Sequence, residues 1–177
     1  MDIIDEALDK VNVKEKHFIE GNHEDWLNRF YEENPHDAFS RYKVKNAIKL
    51  EERGYEYHPI GKMLRIGKLY FYHGHLYGGI YHTRNHLLKL GCNIMYGHWH
   101  DIQQMSVTHI TGPKSAWSLG CLKDMSRDSN AWLGGRSVNW GHAIALVDFY
   151  DDGCFSVNVI QIINGRTTLI GKLIKGE

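Results

Sequence analysis

The sequence has no net charge: 21 Lys and Arg stand against 21 Asp and Glu in 177 residues. A balanced chain builds no general field for polyanions, which disfavours long DNA as a partner and leaves only a local basic patch open. Cysteine is scarce. Cys92, Cys121 and Cys154 are far apart, odd in number and form no C-x-x-C, so they read as buried free thiols in a reducing compartment. No apolar run approaches the ~18 residues of a membrane span, which excludes a transmembrane helix. The acidic start, Met1-Asp2-Ile3-Ile4-Asp5-Glu6, reads as neither a signal nor a transit peptide. There is no internal repeat, low-complexity tract or linker. The length fits one domain over residues 1–177, large enough to bury a core.

Histidine is what the chain has in excess, with 12 against three cysteines. That ratio points to a nitrogen and oxygen metal site rather than a thiolate one. Three stretches share one layout: an apolar run, a glycine, then histidine. They are Phe18-Ile19-Glu20-Gly21-Asn22-His23-Glu24, Leu69-Tyr70-Phe71-Tyr72-His73-Gly74-His75 and Asn93-Ile94-Met95-Tyr96-Gly97-His98-Trp99-His100. In each, a strand is expected to end where possible ligands begin, and α/β proteins place their sites beyond the carboxyl ends of strands. Extended backbone would send His98 and His100 to one side, towards a common point.

Periodicity sets the remaining elements. Ile3, Ile4, Ala7, Leu8 and Val11 predict a short amphipathic helix over 2–11. His17–Glu20 reads as a strand. Residues 25–33 read as a helix with Trp26, Leu27 and Phe30 on one face, stopped by Asn34-Pro35. A charged helix is expected over 37–53, ending at Gly54. Strands follow at 55–58, 63–66 and 68–72, the last two forming a hairpin at Gly67. A helix over 82–90 ends at Gly91 and leads into strand 93–96. The rest is mostly β, with strands at 103–111, 116–119, 142–150, 154–163 and 167–174. Asp151-Asp152-Gly153 and Asn164-Gly165 mark hairpin turns. Residues 123–139 form a long surface loop, and long ordered loops are often functional.

Asn22, His73, His98 and His100 supply one amide oxygen and three imidazole nitrogens, a set suited to divalent Zn, Mn or Fe. His23 adjoins a ligand and points elsewhere, where an imidazole can protonate a leaving alkoxide. His17, His36, His58, His82, His86, His109 and His142 lack ligand spacing and read as surface or packing residues, although His82 and His86 lie at helical i, i+4. Arg84, Lys89 and Arg136 have phosphate contact as an alternative to plain surface charge.

Gly21-Asn22-His23-Glu24, His73-Gly74-His75 and Gly97-His98-Trp99-His100, taken in order, resemble the calcineurin-like metallophosphoesterase superfamily, and phage and bacterial members in particular. The likeness extends to Ala116–Leu122 and Asn139–Ala143 and covers the chain from about residue 14. It implies an α/β fold in which two packed sheets are flanked by helices (α/β/β/α). It implies metal-dependent hydrolysis of a phosphoester by a metal-activated water, in the cytoplasm of a bacterium or phage-infected host. Asn22, His73 and His98 would then bind the second metal of a pair, His100 the first, and His23 would be the general acid. His75 would contact substrate or serve as a structural hydrogen-bonding partner. Trp99 would stack on a substrate ring or pack. A nucleic-acid end is among the open substrates, beside phosphomonoesters, cyclic nucleotides and protein phosphates.

The family's D-x-H and G-D-x-x-D motifs, which supply two ligands of the first metal and the bridging carboxylate, occur nowhere in the sequence. The resemblance therefore implies a member lacking its N-terminal β-α-β portion. Two alternatives follow: a catalytically inactive binding module, or half of a split enzyme completed by a polypeptide bearing both motifs. The absent strands would leave an open sheet edge and uncovered apolar surface.

Overall fold

The computed structural model describes residues 1–36 and 41–176. It is a mixed α/β chain that forms two compact units, Met1–Leu64 and the residues from Arg65 onward. None of its described helices is long and apolar enough to cross a membrane.

In the first unit, helix α1 (Asp2–Leu8) precedes strand β1 (Lys16–Ile19), helix α2 (Asn22–Glu33), the single turn α3 (Val44–Ala47) and strand β2 (Tyr55–His58). Strands β1 and β2 pair in parallel, with Lys16 opposite Tyr55 and Ile19 opposite His58. Polar contacts tie the pair to its surroundings. Arg53 and Tyr55 both bond to Asp5, and Tyr57 Oη and the Ile60 N–H both donate to the buried Glu20 carboxylate. Burial and the Glu20 bond push the Tyr57 phenol well above its ordinary pKa. Leu50 is the one fully buried apolar side chain among the described residues of this unit.

The second unit is built on a five-stranded sheet of order β3-β4-β5-β7-β6. Its strands are β3 (Leu64–Ile66), β4 (Leu69–Phe71), β5 (Asn93–Tyr96), β6 (Ile102–His109) and β7 (Gly112–Leu119). Helix α4 (His82–Leu90) connects β4 to β5, which run parallel, and β7 is parallel to β5 and antiparallel to β6. Period-2 alternation sorts the side chains. Leu69, Met95 and Trp117 face one way and form a buried cluster. Against it pack Ala145 and Val147 of β8 (His142–Phe149) and Phe155, Val157 and Val159 of β9 (Phe155–Ile162). Tyr72, Ile94, Tyr96 and Ser118, at the alternate positions, are also buried. Tyr96 and Ser118 meet residues of α4 or their hydrogen-bonded partners.

Several expectations need correction. Residues 37–40 of the expected 37–53 helix lie outside the described residues. In the remainder only Val44–Ala47 is α-helical, because Lys49 adopts a left-handed φ of 54° that ends the run. The expected strand 167–174 is two strands, β10 (Arg166–Leu169) and β11 (Lys172–Lys175). Ile170 and Gly171, at φ of 49° and 73°, turn the chain back between them. A β-branched residue at positive φ carries no turn signal in the sequence, which is why the break was illegible. Helix α1 stops at Leu8 rather than residue 11. Helix α2 begins at Asn22, and its apolar stripe is exposed: Trp26 by 60% and Phe30 by 54%.

Candidate functional site

His73 follows β4 and His98 follows β5, two residues beyond the end of each strand. The parallel register carries on past the strand ends through Tyr72 N–H to Met95 O and Gly97 N–H to His73 O. It therefore sets the two imidazoles side by side. His98 Nδ1 lies 2.9 Å from His73 Nε2, and the ring planes cross at 75°. Gly74, next in the chain, has φ 108° and lies under the Tyr96 ring, which a Cβ would meet at 2.5 Å. Only glycine lets β4 and β5 close to this spacing at that point.

The turn after β5 is not extended. His98 has φ 25° and His100 has φ 61°, so the alternation argument for their convergence does not apply. Two such exceptions separated by a single residue mark a strained segment of the kind found at functional sites. His98 faces His73, and the His100 ring meets Trp140 edge-on at 5.0 Å. His75 lies with its ring 6.0 Å from that of His73 and 6.1 Å from that of Tyr72. Trp99 packs: its indole stacks on His82 at 5.2 Å, and Nε1 donates to Gly74 O.

Asn22 and His23 lie in the first unit. Asn22 is the first residue of α2, after Gly21 as N-cap, so it follows the end of β1 as His73 and His98 follow theirs. His23 is exposed, with its ring 4.9 Å from Trp26.

Beneath the His73–His98 pair lies a polar network that the sequence reading missed. His82 and His86, read from the sequence as surface or packing residues, are buried. His82 Nδ1 is 2.8 Å from Tyr96 Oη, and Nε2 is 2.9 Å from both Asp101 oxygens. Asp101 also accepts from Ser118 Oγ and Gln103 Nε2. His86 stacks on Tyr96 at 4.2 Å and meets the carbonyls of His82 and Gly74. Burial holds the His86 pKa below its ordinary value and pushes the Tyr96 phenol well above the phenolic range. The signal available in the sequence was the i, i+4 pair on a helix between parallel strands; its inward face could not be told from its outward one.

The 123–139 loop supplies the surroundings of Trp140. Asp124 accepts from Ser126 and Ser129, bonds that hold its carboxyl down at about 2. Lys123 Nζ sits 4.5 Å over the Trp140 ring. A cleft of 750 Å³ opens in this loop, walled by Arg127, Asn130, Arg136 and Trp140 among others. Its two guanidinium groups suit an anionic ligand.

A divalent ion can be tested against the pair itself. Metal–nitrogen bonds of ~2.1 Å at the ~90° angles of octahedral coordination place neighbouring ligand nitrogens ~3 Å apart, and His73 Nε2 and His98 Nδ1 meet that spacing. The two nitrogens fit one ion. No family model matches the chain, and no curated protein matches it at a significant level.

Proposed function

We propose that the chain is a metal-dependent phosphoester hydrolase whose ion is held by His73 and His98. The observation that carries this reading is the 2.9 Å approach of two imidazole nitrogens at the carboxyl ends of parallel strands, with His98 itself and nearby His100 in left-handed backbone. A divalent ion at such a place supplies a Lewis acid for a phosphoryl oxygen and acidifies water. The chain's own residues do the rest. Imidazoles fixed by a rigid β-α-β unit keep their lone pairs aimed without reorganisation. Arg127 and Arg136 attract the substrate's anionic oxygens, and Trp140 links that cleft to His100. The two-sheet α/β/β/α arrangement belongs to the same proposal. Its support is the packing of β8 and β9 on the Leu69, Met95 and Trp117 cluster, and the parallel β4 and β5 joined through α4.

The absence of D-x-H and G-D-x-x-D favours a second reading: a module that binds an ion and an anionic ligand without turnover. Hydrolysis of bis(p-nitrophenyl) phosphate with added Mn²⁺, beside a His98→Ala control, separates the two. Metal-dependent turnover that falls by ~100-fold or more in the control, as expected for loss of an activating metal ligand, supports the hydrolase. Metal uptake without turnover leaves the binding module.

A further inference from the structure

The parallel pairing of β1 with β2 gathers a second set of ligand atoms that neither spacing nor the resemblance assigns. His17 stands opposite Glu56, and His58 lies two residues further along β2. All three side chains lie on one face of the ribbon. Lys16, Phe18, Tyr55 and Tyr57 occupy the other, where Lys16 lies over Tyr55 and pairs with Asp5. Alternation thus keeps the strand's cation away from the histidines.

The distances are those of a coordination set. His17 Nδ1 is 3.1 Å from His58 Nε2 and 3.4 Å from Glu56 Oε2, and His58 Nε2 is 3.7 Å from Glu56 Oε1. Bonds of ~2.0–2.2 Å at tetrahedral angles separate ligand atoms by ~3.3–3.5 Å. The outward nitrogen of His17, Nε2, lies 3.4 Å from Glu15 Oε2. A carboxylate there favours the Nε2–H tautomer and leaves the Nδ1 lone pair facing inward, the usual arrangement behind a metal-bound histidine. The imidazoles are 18% and 12% exposed, whereas Glu56 is 67% exposed and forms the rim. Two shielded nitrogens and one open carboxylate leave a position for solvent.

We infer that His17, Glu56 and His58 bind a zinc-class divalent cation that clamps β1 to β2. Two imidazoles with a carboxylate suit Zn²⁺ among the common divalent ions. The clamp also answers a need of the first unit, which buries a single apolar side chain fully among its described residues. Small units with little apolar core commonly rely on a metal or another cross-link.

The test uses the full chain carrying His73→Ala and His98→Ala, so that zinc at the pair proposed for hydrolysis does not contribute. Calorimetric titration with Zn²⁺ alone is expected to give one equivalent bound and a raised melting temperature. Glu15→Gln, which changes a positioning residue, is expected to weaken zinc by ~10-fold. His17→Gln is expected to abolish the equivalent. Should His17→Gln lose its circular-dichroism signature without metal, the exposed Glu56→Gln decides instead. Binding at least tenfold weaker in Glu56→Gln supports the clamp, and an unchanged affinity overturns it. Failure of the double-alanine chain to bind zinc, or binding that His17→Gln leaves intact, also overturns the clamp and has no bearing on turnover at His73 and His98.

Discussion

Asp101 is the residue on which most of the second unit's buried polarity converges. It takes bonds from His82, Ser118 and Gln103 inside the sheet–helix interface. Removing its carboxylate strands buried donors, each worth ~1–3 kcal/mol. Asp101→Ala is therefore expected to cost about 3 kcal/mol or more in urea unfolding, and Asp101→Asn, which keeps one acceptor, less. His86 gives the pH dependence. Its folded pKa lies below the unfolded value of 6.5 because it is buried, so the unfolded chain takes up that proton first. Its contribution is complete above ~6.5, declines as pH falls by up to ~1.4 kcal/mol per pH unit, and levels off below the folded pKa. Thermal melts of the wild type between pH 7.5 and 5 are expected to show this slope, and His86→Phe to flatten it. A slope that persists in the variant would assign it to another group.

At the scale of elements, the parts written in local signals were legible. Helix α4 runs from His82 to Leu90 and ends on Gly91 in the left-handed region, as the apolar spacing and the glycine require. Strand β5 and the turn at Asn164-Gly165 also fall where they are read. What failed depends on distant partners. The sequence sets Trp26, Leu27 and Phe30 on one face of α2 without naming what they meet, and Trp26 and Phe30 are exposed. An exposed stripe of this kind promotes association. Trp26→Ser with Phe30→Ser is expected to lower self-association in light scattering without loss of helix, and an unchanged particle size would contradict that. His17 and His58 were passed over because they lie 41 residues apart, and no local pattern announces a parallel pairing. The loop from Lys123 carries its own test. With the Asp124 carboxyl held to about 2 by Ser129 and Ser126, its bonds persist above the ordinary carboxylate range and are lost as pH falls towards 2. Fluorescence of Trp132 and Trp140 is expected to hold to pH 4 and change below pH 3 in the wild type. In Asp124→Ala the change is expected to be absent.

The whole molecule presents two units with different means of support. The second buries an aromatic and aliphatic cluster on one face of a five-stranded sheet and a satisfied histidine–aspartate network below its strand ends. The first relies on ion pairs, tyrosine–carboxylate bonds and the His17–Glu56–His58 group. The three strand-to-ligand motifs placed the candidate residues at strand ends, where Asn22, His73 and His98 do lie. They could not foretell the turn geometry at His98 and His100, since left-handed backbone at histidine leaves no mark in composition. The proposed hydrolase depends on His73 and His98 sharing an ion. Crystals of the full chain soaked in Mn²⁺ test it directly through anomalous difference density. A peak is expected ~2.1–2.3 Å from both His73 Nε2 and His98 Nδ1, typical of a first-row metal on imidazole, and no peak there in His98→Ala. Density confined to other sites, with the two imidazoles still joined only by their own hydrogen bond, would contradict it.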